Sequence, residues 1–474
     1  MTTKYLKGGV ALGSLTAVAA LLAGLSSASA QSAPGAGSFP QSFLVPGTNT
    51  SLAIYGTVKL SFTSNWGSQH VTDTSPSGIG ATPNAISGLA LNGPSAATGN
   101  SAASVNSAER ALHGGLRGQV KSTQIFFETR TPSDLGEIKT VVMMDFGTLG
   151  LQANYIGKSA GASTNSPSSG AGNNELPRIQ FAYGTLGPWL FGQYNSNFVD
   201  PLLINPDIGD QSQVGPLQTR NIRRPQIRYT YLAGNGLSIS GSVETNTYTN
   251  LVGTSTTISA PLAEDSTDTG GITNYPSING GVSWSQPWGH LMFRAGIAED
   301  EVRNTTNSPG RNFNLRKTGW ALAAGVMINT WGQDQWRGQV HYAKGADTYL
   351  TDMGDAGFIN TTTGSLVLLK ELAVNTSYIH RFSPNWRATA EFGLGWFDKP
   401  SNAADLSAIP TTSSNAALAG IEKRHLQSGL SVTYSPVPGR IDIGVEWDHW
   451  ERWVQVAATS GNGNRYNLHI NFFW

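Results

Sequence analysis

Two neighbouring stretches of the chain carry charge at a spacing that could do chemistry. The first is Asn197-Phe-Val-Asp-Pro-Leu-Leu-Ile-Asn-Pro-Asp-Ile-Gly-Asp-Gln211, which sets Asp200, Asp207 and Asp210 in a run otherwise rich in apolar residues and proline. The second is Arg220-Asn-Ile-Arg-Arg-Pro-Gln-Ile-Arg-Tyr-Thr-Tyr231, with Arg220, Arg223, Arg224 and Arg228. A guanidinium presents a planar fork that matches a carboxylate, so aligned arginines suit recognition of small organic anions. Here Ile227, Tyr229 and Tyr231 alternate with Gln226 and Arg228, and residues two apart on an extended chain share a face. The alternation predicts one apolar face and one bearing Arg224, Gln226 and Arg228. Pro225 cuts across this pattern, because proline cannot donate to a sheet ladder. A bulge there would present Arg223 in place of Arg224.

Catalytic and metal-binding patterns are thin. The eight histidines are dispersed, and neither His-Glu-x-x-His nor Gly-x-Ser-x-Gly occurs. Gly157-Lys158-Ser159 has the end of a phosphate loop, but Gln152 stands where its first glycine is required. Asn205-x-Asp207-x-Gly209-Asp210 has calcium-like spacing without the distant glutamate, and ordinary turn chemistry accounts for it. No metal or cofactor is expected.

The elements that would position these charges are strands. Residues 1–30 read as a secretory signal peptide: Lys4 and Lys7, an apolar run from Val10 to Leu25, and Ala28-Ser29-Ala30 before the expected cleavage site. Beyond it no apolar run is long enough for a membrane helix, and zero cysteines exclude disulfides and thiol chemistry. Lys and Arg total 30 against 30 Asp and Glu, which gives no support to a nucleic-acid partner. With 56 glycines, 13 tryptophans and only 13% charged residues, the composition suits many short strands with polar turns and aromatic belts.

Tight-turn sequences recur about every fifty residues: Thr131-Pro-Ser-Asp-Leu-Gly136, Gly187-Pro188, Ala233-Gly-Asn-Gly236, Gln286-Pro-Trp-Gly289, Thr330-Trp-Gly-Gln-Asp334, Phe382-Ser-Pro-Asn385 and Ser435-Pro-Val-Pro-Gly439. Each is flanked by period-two alternation, for example Ile179/Phe181/Tyr183 before the second turn and Leu190/Gly192/Tyr194 after it. Seven hairpins give fourteen strands. An opening strand at Leu52–Phe62 and a closing one, Arg465-Tyr-Asn-Leu-His-Ile-Asn-Phe-Phe-Trp474, raise the count to sixteen.

Eight long loops rich in Ser, Thr, Asn, Gly and Asp fall at about 65–120, 147–177, 197–220, 245–275, 299–314, 345–365, 398–423 and 452–463. An even strand count with short turns at one end and long loops at the other is the pattern of a bacterial outer-membrane β-barrel. The competing architecture is a secreted sandwich or propeller. Against it, Trp189, Trp288, Trp331 and Trp386 sit at or beside four of the seven turns, where a membrane-interface belt belongs.

The expected fold is therefore all-β: a transmembrane antiparallel barrel over residues 51–474, preceded by a short periplasmic segment at 31–50. About sixteen strands leave room for an aqueous channel. The loop at 197–220 is the one apolar enough to fold inward, and its acids would face the arginine column across the pore. Alternation puts Lys59, Arg130, Lys139 and Arg178 on the lumen side, with Asp442, Glu446 and Asp448 gathered on the fifteenth strand. These charges either favour organic anions or simply keep a polar lumen wet.

Phe127-Glu-Thr-Arg-Thr-Pro-Ser-Asp-Leu-Gly-Glu-Ile-Lys-Thr140 and Thr219-Arg-Asn-Ile-Arg-Arg-Pro-Gln-Ile-Arg-Tyr-Thr230 resemble segments of the DcaP-like group, and the chain from about Pro46 to Trp474 resembles trimeric Gram-negative porins. The resemblance implies a homotrimer that passes small hydrophilic solutes, an inward third loop, a leaning toward dicarboxylates, and Arg224 and Arg228 as solute contacts. It also implies that Phe472 and Trp474 form the signal read by the barrel-assembly machinery, with outer-membrane lipid around the barrel. The periplasmic coiled coil of some of these porins has no counterpart in residues 31–50, which lack heptads. A non-selective or sugar-preferring porin is the nearest alternative; a surface adhesin or an outer-membrane enzyme are the readings from other classes.

Overall fold

The computed structural model describes residues 35–67, 113–120, 122–148, 176–204, 223–246, 275–303, 314–345, 349, 357–359, 363, 365–398, 422–454 and 460–474. Residues 1–30, where a signal peptide is expected, and most of the long loops lie outside them. The strands are β1 (Ser51–Gly67), β2 in two pieces (His113–Gln119 and Gln124–Thr131), β3 (Ile138–Thr148), β4 (Leu176–Leu186), β5 (Trp189–Asn195), β6 (Arg223–Gly234), β7 (Leu237–Glu244) and β8 (Ser277–Gln286). They continue as β9 (Gly289–Arg303), β10 (Asn314–Asn329), β11 (Gln335–Lys344), β12 (Lys370–Arg381), β13 (Trp386–Phe397), β14 (Glu422–Val437), β15 (Ile441–Val454) and β16 (Ser460–Phe473). Both pieces of β2 pair with β1, through Ser61↔Gln119 and Thr57↔Gln124, so they form one interrupted strand.

All sixteen strands pair antiparallel with their neighbours in sequence, and β16 returns to β1 in the register Thr57↔Phe473 to Gly67↔Gly463. That last pairing leaves the sheet without a free edge along these residues. Gly56 and Trp474 exchange backbone hydrogen bonds of 3.2 and 3.1 Å at the end of the seam. A Cβ on Gly56 would lie 2.2 Å from the Gln124 carbonyl and 3.1 Å from the Trp474 ring, so only glycine fits. Gly56→Leu should lower the temperature at which the folded barrel unfolds on heat-modifiability gels by several degrees, while Gly241→Leu, where the same construction meets open space, should not.

The short turns use the backbone freedom their sequences supply. In the β6–β7 hairpin Gly234, Asn235 and Gly236 take φ of 86°, 49° and 76°, the left-handed geometry that a two-residue reverse turn needs. Trp189, Trp288, Trp331 and Trp386 all stand exposed on the outside at this end of the barrel. Outward positions are apolar along the wall, among them Ile54, Val58, Phe293, Leu322, Leu430 and Val445, whereas the buried, inward positions are mainly polar or charged. This inversion of the soluble-protein pattern is what lipid outside and water inside require.

Two strands depart from the phase that apolar alternation suggests. Met143 pairs with Phe181 but Met144 pairs with Ile179, so Gln180 is an extra residue, a bulge. Val141 and Met143 point inward and are buried, which carries Phe181 and Tyr183 inward with them, while Ile179 stays outside at 55% exposure. On β5 it is Trp189 and Phe191 that face outward, so Leu190, Gly192 and Tyr194 line the lumen. A single inserted residue reverses every side chain beyond it, and alternation alone cannot say which of two apolar sets is outside.

Candidate functional site

Loop 3 follows β5, and its described part, Ser196–Ile204, lies against the inner wall of β8 to β11. Polar lumens rarely offer apolar footing. Here Ala321, Ala323 and Gly325 of β10 and Ala343 of β11 alternate inward with Met292 of β9 and Ala373 of β12, leaving a shallow apolar recess. Phe198 and Leu203 fill it and are fully buried. A Cβ on Gly325 would come within 2.4 Å of Leu203 Cδ1, so the recess exists because that position is glycine. Burying the two side chains contributes about 1.5–3 kcal/mol each.

Locally the loop is ordered by its own sequence. Pro201 opens a single turn of 3-10 helix, Pro201–Leu203, and Asp200 caps it by accepting from the Leu202 amide at 3.1 Å. The other carboxylate oxygen of Asp200 meets Arg294 at 2.8 Å, His290 at 2.9 Å and the Ser283 hydroxyl at 3.0 Å. Burial would raise the Asp200 carboxyl, but the His290 hydrogen bond and the Arg294 charge hold it below its ordinary value. Further anchors run to backbone atoms: the Asn197 amide to Glu244 at 2.7 Å, Arg337 to the Ile204 carbonyl at 2.6 Å, and Gln339 to the Leu203 carbonyl.

Asp200 is thus an anchor on the wall of β8 and β9, neutralised by Arg294, and it supplies no free negative charge opposite the arginines of β6. Asp207, Asp210 and Arg220, with the calcium-like spacing at 205–210, lie outside the described residues. On β6 the ladder runs without a register break past Pro225, which pairs with Gln193. Arg224, Gln226 and Arg228 therefore share the inward face. Proline is tolerated because its missing N–H falls at the end of β7, where only the Pro225 carbonyl is used, by the Thr245 amide at 3.0 Å.

Arg224 is only 3% exposed, bonded to the Ser277 hydroxyl at 3.3 Å and packed 5.5 Å from the Tyr349 ring centre. Arg228 donates to Gln226 Oε1 at 2.9 Å and to the Asn195 carbonyl at the root of loop 3, with its guanidinium 5.7 Å from the Tyr194 ring centre. Arg223 packs over Phe181 at 5.6 Å. Arg228 thus braces the root of the loop, and all three arginines pack against aromatic rings.

The remaining sequence-selected charges are mostly compensated. Arg130 and Lys139 converge on Glu128 at 2.8 and 3.1 Å, and Arg178 binds Asp145 at 2.8 Å. Lys59 lies on the inward phase of β1. Asp442 pairs with Arg387 at 2.6 Å, and Glu446 and Asp448 accept from Asn467 at 3.1 and 3.3 Å.

Sequence reading overlooked the charges that line open space at the short-turn end. A cavity of about 470 Å³ is bordered by Arg337, Arg381 and Arg387 with Thr389, Ser435 and Asp442. Arg337 gives its hydrogen bonds to neutral acceptors, the Ile204 carbonyl and Gln335 Oε1. Arg381 is exposed to the cavity, its backbone fixed by Asp334, which accepts from the Arg381 amide at 2.8 Å. The signal was present: Arg337 and Arg387 each follow an outward tryptophan, Trp336 and Trp386, which sets their phase inward.

A family model described as "Porin subfamily" matches residues 39–471. No curated protein matches the chain significantly. Among solved structures, the outer membrane channel DcaP of Acinetobacter baumannii is similar at 20% identity and a TM-score of 0.64, over 91% of this chain and 99% of that one. OprB of Pseudomonas putida follows at 10% identity and a TM-score of 0.49, over 89% and 94%. OmpT of Vibrio cholerae stands at 8% identity and a TM-score of 0.46, over 90% and 98%.

Proposed function

Since the chain belongs to this porin subfamily and so resides in the bacterial outer membrane, we propose that it is a homotrimeric diffusion channel for small hydrophilic solutes that favours organic anions, dicarboxylates among them. The short turns then face the periplasm and the long loops the exterior. Surrounding lipid contacts the apolar girdle, and the barrel-assembly machinery reads the closing strand at Phe472 and Trp474.

One observation supports the anion preference above the others. Arg337 and Arg381 border a lumen cavity beside Arg387, and among the described residues the only acid lining it, Asp442, is bound to Arg387. Two guanidiniums with no carboxylate in hydrogen-bonding contact among the described residues, one of them bonded to the Ile204 carbonyl of loop 3, make a positive stretch in a low-dielectric wall, where field lines concentrate. A solute with two carboxylates could meet both forks.

Planar-bilayer recordings test the reading. The native chain should conduct in steps, ohmically, with a reversal potential in a salt gradient that marks anion preference. Arg337→Ser with Arg381→Ser should reduce the anion-to-cation permeability ratio by roughly threefold or more. Arg224→Ser with Arg228→Ser should mainly raise current noise, because Arg228 holds the Asn195 carbonyl at the root of loop 3. Silence from well-folded protein would overturn the channel reading, and unchanged selectivity in the first double variant would overturn the anion reading.

A second reading rests on the inward aromatics. Tyr183 and Phe181 stand 4.7 and 5.0 Å from Tyr194, and Tyr55 stacks on Phe126 at 5.0 Å. Aromatic faces in a lumen suit sugars. Liposome swelling with graded sugars and dicarboxylates separates the two.

A further inference from the structure

The chain before β1 does not trail away from the barrel. β16 stops opposite Gly56, which leaves the adjoining edge of β1 at Ser51 and Leu52 free on that side. Phe43–Leu44 takes it, pairing antiparallel as Phe43↔Leu52 and Leu44↔Ser51, while the other edge of the same residues pairs with Arg130 and Thr129 of β2. Upstream the chain doubles back: Ala36 bridges to Phe43, the Gly37 amide donates to the Ser42 carbonyl at 3.0 Å, and the Leu44 amide donates to the Gly35 carbonyl at 2.8 Å. Gln41 adopts a φ of 64°, and a Cβ on Gly37 would come within 2.1 Å of Ser42 Oγ, so the turn is tight.

The tip of this turn lies on the lumen side. Ser51 faces inward and is 1% exposed because the Ser38 amide donates to its hydroxyl at 2.9 Å. The Phe39 ring centre sits 4.5 Å from the Arg130 guanidinium carbon. Arg130 is an inward residue whose Nε and Nη2 donate to Glu128 at 2.9 and 2.8 Å, with Nη1 3.7 Å from Glu137. One face of its guanidinium is therefore stacked on an aromatic ring and its edge is held by a carboxylate.

We propose that residues 35–44 form a second constriction of the pore, at the short-turn mouth opposite in the lumen to the Arg337 and Arg381 wall, and that Phe39 determines specificity there by withholding Arg130 from passing anions. The inference rests on the chain being a channel. It adds a narrowing at the exit, separate from loop 3, and makes the exit electrostatically one-sided: Arg337 on β11 and Arg381 on β12 act on the solute, whereas the cation on β2 is capped.

The chain has no cysteine, so a single introduced thiol reports on the turn cleanly. Ser51→Cys in the otherwise native protein, in liposomes, should react slowly with a charged thiol reagent, and about tenfold faster when Phe39→Ala or deletion of residues 35–42 is added, as local release of a covered site requires. Phe39→Ala alone should raise conductance and shift the reversal potential toward anions, and Phe39→Tyr should behave as the native chain. Rapid labelling of Ser51→Cys in the native background overturns the proposal, as does a Phe39→Ala channel with native conductance, selectivity and labelling. Labelling is read whether or not the protein conducts, so failure of this inference is distinguishable from failure of the channel reading.

Discussion

Replacing Asp200 by alanine is expected to release loop 3 from the barrel wall, producing a noisier channel of higher conductance with an intact barrel. Asp200 is buried between Arg294, His290 and Ser283, and it also caps the turn that carries Leu203 into the recess. Truncating it strands the Arg294 guanidinium, 9% exposed, without a counter-charge. Removing one partner of a buried ion pair costs about 3–5 kcal/mol. At about 1.4 kcal/mol per factor of ten, the ratio of docked to released loop falls by at least two orders of magnitude.

The ladder of sixteen strands does not pass through Asp200, so heat-modifiability should stay near native. Single-channel noise and conductance are the measurement. A quiet channel of native conductance would show that the apolar recess holds the loop by itself. Adding Arg294→Met to Asp200→Ala should restore part of the quiet state, since the stranded charge is then removed.

The same carboxylate gives the loop a pH dependence with a definite sign. Its value in the folded protein is lowered, so its contribution to docking is complete above the ordinary aspartate value of about 3.9 and is lost as the pH falls through the depressed one. Noise should therefore rise only at strongly acidic pH, and Asp200→Asn should flatten that rise.

Deleting Phe472, Phe473 and Trp474 is expected to have the second large effect, on assembly. The three residues carry the Thr57↔Phe473 and Val58↔Phe472 pairs, the two Gly56–Trp474 backbone bonds, and the Phe473 amide bond to the Arg440 carbonyl at 2.8 Å. Each lost hydrogen bond removes about 1 kcal/mol and leaves strand edges of β1 and β15 unpaired. Phe472 and Trp474 also present apolar rings outward at the short-turn end, each 47% exposed. Cells should therefore accumulate several-fold less folded barrel in the outer membrane, while the molecules that do insert keep native selectivity. Normal assembly of the shortened chain would remove these residues as the assembly signal.

Much of this architecture is written in local pattern. Alternation along one strand, such as Leu468, Ile470 and Phe472 against Asn467, His469 and Asn471, depends only on neighbours two residues apart. Turn chemistry at Ala233-Gly-Asn-Gly236 is equally local. Strand number, closure of β16 on β1 and the belt of turn tryptophans therefore follow from the chain itself. The inward course of loop 3 was foreshadowed by the apolar character of Phe198 and Leu203, and its footing by the alternating Ala321, Ala323 and Gly325, a phase too small and too apolar for a lumen wall.

What the tertiary structure decided is which charges are spent and which remain. Asp200 and Arg294 lie 94 positions apart, Arg387 and Asp442 55 apart, and nothing local marks them as pairs. Register between strands brings each pair together, and it is set by the whole circuit of the barrel. A bulge at Gln180 likewise turns Phe181 and Tyr183 inward against the simplest phase, because one inserted residue reverses the pleat for all that follow. Composition and spacing determined a barrel with a polar lumen; closing it in one register determined that Arg228 and Asp200 brace its third loop, and that Arg337 and Arg381 are left to face the water.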